Sequence, residues 1–261
     1  EKLNRKRDVA FGKTQGLYAA VAFARNRLAE IRTDRLGTHA IRNICHFTGQ
    51  NLWFWALTMI PLAQVFALEF TSPLWVILLA ALFLGERLTR QKIIAAGLGF
   101  VGILIVARPD FAALDPGVAA AAGSAVFFAL TTILTKTLTR HESTISILFW
   151  LALMQLCLGL VAALHDGRMT MPTAETAPWL MLIGVCGLIA HWCITTALSL
   201  APASTVVPVD FARLPVIALV GWWVFGEAVA PAVYLGAACI FAGILLNLRA
   251  ARRVAATQAG P

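Results

Sequence analysis

Three ionisable residues sit in surroundings that disfavour charge. Glu69 lies in the apolar run 62–85, and Asp210 and Arg213 lie in the run 204–226. A charge near the middle of a membrane helix costs about 2.5–3.5 kcal/mol on insertion scales, so such a residue marks a substrate or ion pathway or belongs to an internal pair. Asp210 and Arg213 are spaced i, i+3, close enough on one helix face to neutralise each other. They read either as a structural ion pair or as a clamp that opens, with Arg213 gripping a substrate carboxylate through two parallel N–H bonds. Glu69 has no basic residue at i±3 or i±4. Left unpaired in low dielectric it would favour the protonated form, as a proton-coupling carboxyl must; the alternative is a carboxyl hydrogen-bonded to a neighbouring helix.

Two further polar residues are candidates for substrate or ion binding. His191 shares a helix face with Gly184, Gly187 and Thr195, a narrow stripe expected to face a bundle interior, where a packing histidine is the alternative to a ligand contact. Gln50 occupies the matching place in the first half of the chain. Arg42, Asn43, His46 and Gln50 make the start of one run unusually polar, as a water-filled vestibule would require, unless the span begins later. Trp53, Trp55 and Trp192 fit either a cavity lining or core packing. Metal and cofactor sites are not expected, because His46, His191 and the cysteines lack ligand spacing.

The elements that must carry these residues follow from composition. Hydrophobic residues make up 59% of the 261 and charged residues 13%, against about 45–50% and about 25% in soluble domains. Successive apolar runs approach or exceed the roughly 18–20 residues that cross a bilayer. Eight spanning helices are predicted, at 42–60, 62–85, 91–107, 116–136, 145–165, 178–199, 204–226 and 231–248. The result is an all-α polytopic membrane protein. The net charge of +8 does not indicate nucleic acid, because Lys and Arg concentrate in the gaps between runs. Arg25, Arg27, Arg32, Arg35 and Arg42, then Arg87, Arg90 and Lys92, then Lys136 and Arg140, then Arg249, Arg252 and Arg253 fall on one side, against Arg108 and Arg168 on the other. The positive-inside rule places the carboxyl terminus in the cytoplasm.

A displacement of 141 positions lays "ALTMIPLAQVFALEF" over "ALSLAPASTVVPVDF", with Glu69 on Asp210, Phe70 on Phe211 and Gly85-Glu86 on Gly226-Glu227. The chain therefore has two homologous halves, 42–108 and 116–250, preceded by a basic segment 1–41 whose patch "LYAAVAFA" makes at most an imperfect helix, and followed by a tail 251–261. Helix parity makes the halves inverted, a design common in secondary transporters, with the substrate near the midplane. "GLGFVG" at 97–102 has the letters of a dinucleotide-binding loop, but it lies inside an apolar helix and its repeat copy "GAACIFAG" loses the spacing. It reads instead as a small face, Ala95, Gly99 and Gly102, that admits a neighbouring backbone. Glu86 and Glu227 are expected to cap the helices that follow them.

With "FTSPLWVILLAALFLGER", "GFVGILIVARPD", "LAPASTVVPVDFARLP" and "FGE", the chain resembles the EamA-type family of the drug/metabolite transporter superfamily. The resemblance implies five plus five inverted helices, secondary transport of a small polar metabolite and an inner-membrane location. It also implies that the first one or two helices are lacking here, since shifting residue 116 back lands before Glu1. A second copy of the chain, forming a homodimer, is one way to supply them. The expected partners are a small-molecule substrate, the lipid bilayer and a proton or cation for coupling. Amino acids, nucleobases, vitamins and polyamine-like cations all fit as substrates. Two other readings stand beside transport: a membrane-embedded enzyme using His191 and the buried acids, and a shortened form that no longer transports.

Overall fold

The computed structural model describes residues 31, 33–60, 62–107, 116–164, 171–225 and 231–258. Among them every regular element is helical: α1 (Leu36–Ala56), α2 (Leu62–Glu69), α3 (Ser72–Leu84), α4 (Arg90–Ala107), α5 (Pro116–Leu138), α6 (Thr144–Leu164), α7 (Ala177–Leu200), α8 (Ala203–Val206), a 3-10 helix (Val207–Ala212), α9 (Arg213–Phe225) and α10 (Pro231–Gln258). The patch at 17–24, Arg108, Arg168 and Glu227 lie outside the described residues. Five stretches among the described residues are long and apolar enough to cross a membrane, Val65–Leu84, Pro116–Leu138, Thr144–Leu164, Ala177–Leu200 and Pro231–Ala250.

The repeat reappears in where helices begin. Leu36 and Ala177, Leu62 and Ala203, Ser72 and Arg213, and Arg90 and Pro231 each stand 141 residues apart. The spans 62–85 and 204–226, expected as single helices, are each interrupted. In the first, Phe70 and Thr71 form a turn and Pro73, which has no N–H to give, stands in the opening turn of α3. In the second, Pro208 lies within the 3-10 helix. Proline removes one helical bond and crowds the preceding turn, so both interruptions have the same cause. The first helix also starts earlier and stops earlier than expected. Its end tightens into i to i−3 bonds, Thr58 N to Trp55 O at 3.0 Å and Met59 N to Ala56 O at 2.9 Å, as the chain approaches Pro61, which disfavours helix in the residue before it.

The chain divides into two compact units, Glu1–Phe47 with Leu134–Leu200 and Thr48–Ile133 with Ala201–Pro261. The first is built on the start of α1, the end of α5, and α6 and α7. Ile147, Leu148, Leu151 and Ala152 of α6 are buried in it. At its polar end His39 Nε2 donates to Glu142 at 2.7 Å and Ser146 Oγ donates at 3.0 Å, while the Thr33 hydroxyl donates to the other carboxylate oxygen. Burial pushes this carboxyl up, but the bonds from Thr33, His39 and Ser146 outweigh it and hold Glu142 below its ordinary value.

The second unit has a core of Ala67, Phe70, Ile103, Phe211, Leu214, Ile240 and Ile244. The "GLGFVG" stretch is plain helix within α4, and its small face is where α10 crosses. A Cβ on Gly102 would stand 2.6 Å from Gly236 O, one on Gly243 2.6 Å from Ala95 O, and one on Gly99 2.5 Å from the Phe211 ring. The contacts at Gly102 and Gly243 are with backbone and cannot be relieved by turning a side chain. Gly243→Ala is expected to destabilise by about 1–3 kcal/mol, the cost of overpacking, measured as a lowered Tm in detergent. Gly97→Ala is the control: nothing lies within 4 Å of its Cβ, so better helix propensity should leave stability equal or higher.

Candidate functional site

The two helix interruptions fall in corresponding positions of the repeats, which is where discontinuous transporter helices hold substrates and ions. Glu69 is the last residue of α2, Asp210 lies in the 3-10 helix and Arg213 begins α9, all within the second unit. Arg213 Nη2 donates to Glu69 Oε1 at 2.5 Å and stands 3.7 Å from Asp210 Oδ2. Of the two readings of Glu69, the carboxyl bonded to a neighbouring helix is the one seen, and the unpaired one is corrected. Its partner comes from 144 residues away, beyond any i±4 search, and the i, i+3 pair is the looser contact. A second donor completes the set, for Trp53 Nε1 bonds Glu69 Oε2 at 2.7 Å.

The ion pair rests on rings. The Arg213 guanidinium lies 4.9 Å from the Phe70 centroid and 5.8 Å from that of Phe66, a cation–π arrangement favoured where water is scarce. Trp53 meets Phe66 edge-on at 5.9 Å, and Phe70 stacks towards Phe66 at 6.2 Å and tilts against Phe211 at 6.3 Å. Glu69 is 14% exposed, Arg213 40% and Asp210 50%. The cluster is thus anchored at Glu69 and accessible at Asp210. Arg213 Nε is buried with no acceptor among the described residues, so the guanidinium keeps a donor in reserve. Trp53 is the member that sequence reasoning left undecided; its spacing from Glu69 held no signal, since the contact joins two helices.

An apolar groove of about 560 Å3, lined by Leu68, Leu74, Trp75, Leu78, Phe100 and Val126, also lies in this unit. The Thr71 hydroxyl there is bonded to Leu68 O. The groove suits an acyl chain and offers a polar metabolite nothing to orient it.

The remaining candidates are elsewhere. His191 belongs to the first unit, where its ring meets His46 edge-on at 5.1 Å. Gln50 is half-buried and makes none of the contacts described for either cluster. The stripe expected on α7 is real but shifted: Gly184, Thr195 and Leu198 are buried, whereas Gly187 is exposed with no neighbour for a Cβ. Trp55 and Trp192 are exposed at 48% and 44%, so neither is packed in the core. The polar start of α1 is closed at Arg42 and Asn43, while His46 and Gln50 stay half-buried. Arg42 and Asn43 are 2% and 1% exposed and are tied to Thr135, Gln155 and the His39 carbonyl.

Glu86 caps a helix, though not the one after it. Its carboxylate accepts from Ala203 N at 2.8 Å and Ser204 N at 3.1 Å, and from the Ser204 hydroxyl. Lys92 Nζ donates to Ser204 Oγ at 2.6 Å, and Asn247 donates to Thr205 O at 3.0 Å. Lys92, which sequence counts among loop charges, is 8% exposed. These bonds fix α8, the turn that leads into Asp210 and Arg213.

Comparison with known proteins gives consistent results. The model of the EamA-like transporter family matches residues 17–108 and 115–249. A riboflavin transporter of Vibrio cholerae serotype O1 is 37% identical over 80% of this chain and 70% of its own. An S-adenosylmethionine uptake transporter of Rickettsia bellii is 26% identical over 76% of this chain and 67% of its own. A solved crystal structure superposes with a TM-score of 0.79 at 20% identity, covering 96% of this chain and 88% of that one, a likeness of fold.

Proposed function

The chain belongs to the EamA-like transporter family and is a multi-pass membrane protein that moves a small metabolite, and from that premise we propose that its substrate is a planar heteroaromatic compound of the riboflavin type, bound at Trp53, Phe66, Glu69, Asp210 and Arg213, with Phe70 behind them in the core. The family and the relatives are transporters, which removes the enzyme reading built on His191. The observation that carries the proposal is the Arg213–Glu69–Trp53 network laid against Phe66 and Phe70. The partly buried rings of Trp53 and Phe66 favour a flat ring system by offset stacking. Arg213 and Asp210, partly exposed, offer a donor and an acceptor to the ring carbonyls and hydroxyl chain of such a molecule. Riboflavin and S-adenosylmethionine, named for the two relatives, both join a fused heteroaromatic ring to a hydroxylated carbon chain or ring. A carboxylate grip by Arg213 is displaced in this reading, because Glu69 already fills that role inside the protein.

The inverted halves, 42–108 and 116–250, supply the alternating access, with the carboxyl terminus cytoplasmic in the inner membrane and a proton as the coupling ion. Purified protein in sealed vesicles, given labelled riboflavin with and without a pH gradient, tests both parts. Saturable flux competed by unlabelled riboflavin is expected, and faster when the gradient is applied. Absence of flux for riboflavin and for S-adenosylmethionine alike would remove the heteroaromatic assignment; flux indifferent to the gradient would remove the proton.

A further inference from the structure

Apart from the site above, the first unit holds a buried charge, Arg42, that no acid among the described residues answers. Arg42 is 2% exposed. Its Nε donates to Thr135 Oγ1 at 3.0 Å and its Nη1 lies 3.3 Å from Asn43 Oδ1, both neutral acceptors. Among the described residues no carboxylate pairs with it. Glu142, near the start of the same helix, is already engaged by Thr33, His39 and Ser146. A buried guanidinium without a counter-ion costs several kcal/mol, and a chain keeps such a group where a ligand completes it.

The groups around Arg42 are donors as well. His46 is one turn along the same face of α1, and its ring meets that of His191 at 5.1 Å. On α7, one turn from His191 towards Leu198, the Thr195 hydroxyl is fully buried and has no partner among the described residues. Lys136, adjacent to the Thr135 that holds Arg42, donates to Leu198 O at 2.5 Å, which ties α5 to the end of α7 that carries Thr195. His46 and His191 are only half-buried, which leaves the donor set accessible from one side.

We propose that Arg42, His46, His191 and Thr195 form a second binding site, for a phosphate oxyanion. A carboxylate has two oxygens, whereas a guanidinium fork, two imidazoles and a hydroxyl present more donors than two oxygens use. The tetrahedral anion matches that number and supplies the missing negative charge. The phosphate is either a soluble one or the headgroup of a phospholipid, and the chemistry at the site is the same.

Thermal unfolding of the full chain, purified and delipidated in detergent, separates the cases. Inorganic phosphate is titrated against chloride at matched ionic strength, and a parallel series receives dihexanoyl phosphatidic acid. A saturable rise in Tm with inorganic phosphate identifies the soluble anion; a rise with the lipid alone identifies the headgroup. Arg42→Gln should weaken the apparent affinity by roughly tenfold or more, the value of a charge-assisted bond pair. Should that variant fail to fold, Thr195→Val serves in its place. Without its orphan hydroxyl it should be at least as stable as the parent in chloride, yet respond to phosphate several-fold more weakly. No saturable response to either ligand, a response equalled by chloride, or Thr195→Val binding phosphate as the parent does would overturn the assignment.

Discussion

Replacing Arg213 by methionine is expected to abolish riboflavin flux in vesicles and to lower the Tm. Methionine keeps most of the volume against Phe66 and Phe70 but removes the cation that answers both Glu69 and Asp210. Removing one partner of a buried pair costs about 3–5 kcal/mol because a charge is stranded. Arg213 is 40% exposed, so water moderates the loss and the stability change should fall short of that range. Glu69→Gln is milder. It is nearly isosteric, its amide oxygen still accepts from Trp53, and Arg213 turns towards solvent. If Glu69 is the coupling group, downhill flux survives in Glu69→Gln while the response to a pH gradient disappears. The double variant decides between a site and a strut. Neutralising both partners leaves only Asp210 unanswered, so Tm should recover relative to Arg213→Met, the non-additivity expected of contacting residues. Recovery of Tm without flux assigns the pair to transport. Recovery of both would reduce it to a structural ion pair, and unchanged flux in Arg213→Met would move the site elsewhere.

What sequence could convey about this site depends on separation along the chain. Spans, the 141-residue displacement and the small face at Ala95, Gly99 and Gly102 were legible because each is a local or periodic pattern, and the helix starts and the α4–α10 crossing follow it. Glu69, Asp210 and Arg213 were legible as charges in apolar runs. Their pairing was not, because the Glu69–Arg213 bond joins residues 144 apart and helix periodicity speaks only for i±3 and i±4. Trp53 failed for the same reason. The helix interruptions were hidden by a uniform apolar signal: hydropathy averages over Phe70–Thr71 and over Val207–Ala212, and only Pro73 and Pro208 mark them. Arg42 and Lys92 misled in the opposite sense. Both were counted as loop charges setting orientation, yet each is folded into a bonded interior, since a long basic side chain near a helix start can turn inward as readily as outward.

The second large effect is expected at Glu86, which touches no substrate in this scheme. Glu86→Ala removes the acceptor of Ala203 N, Ser204 N and the Ser204 hydroxyl together. An unsatisfied buried donor costs about 1–3 kcal/mol, and Glu86 is itself only half-buried, so water recovers part of the sum. The Tm should still fall clearly below that of Arg87→Gln, a change at an exposed neighbour. Because α8 runs straight into the turn carrying Asp210 and Arg213, the loss should also reach transport, as a raised KM for riboflavin. Ser204→Ala separates the parts. It forfeits the Lys92 contact but keeps both backbone bonds to Glu86, so its KM should stay closer to that of the parent. Were Ser204→Ala as damaging as Glu86→Ala, the Lys92–Ser204 bond rather than the carboxylate cap would be holding α8. Were Glu86→Ala as stable and as active as the parent, the Lys92 and Asn247 bonds together with the packing of Ala203, Val207 and Phe211 would suffice to hold α8, and the broken helix would keep its charges in place without the carboxylate cap.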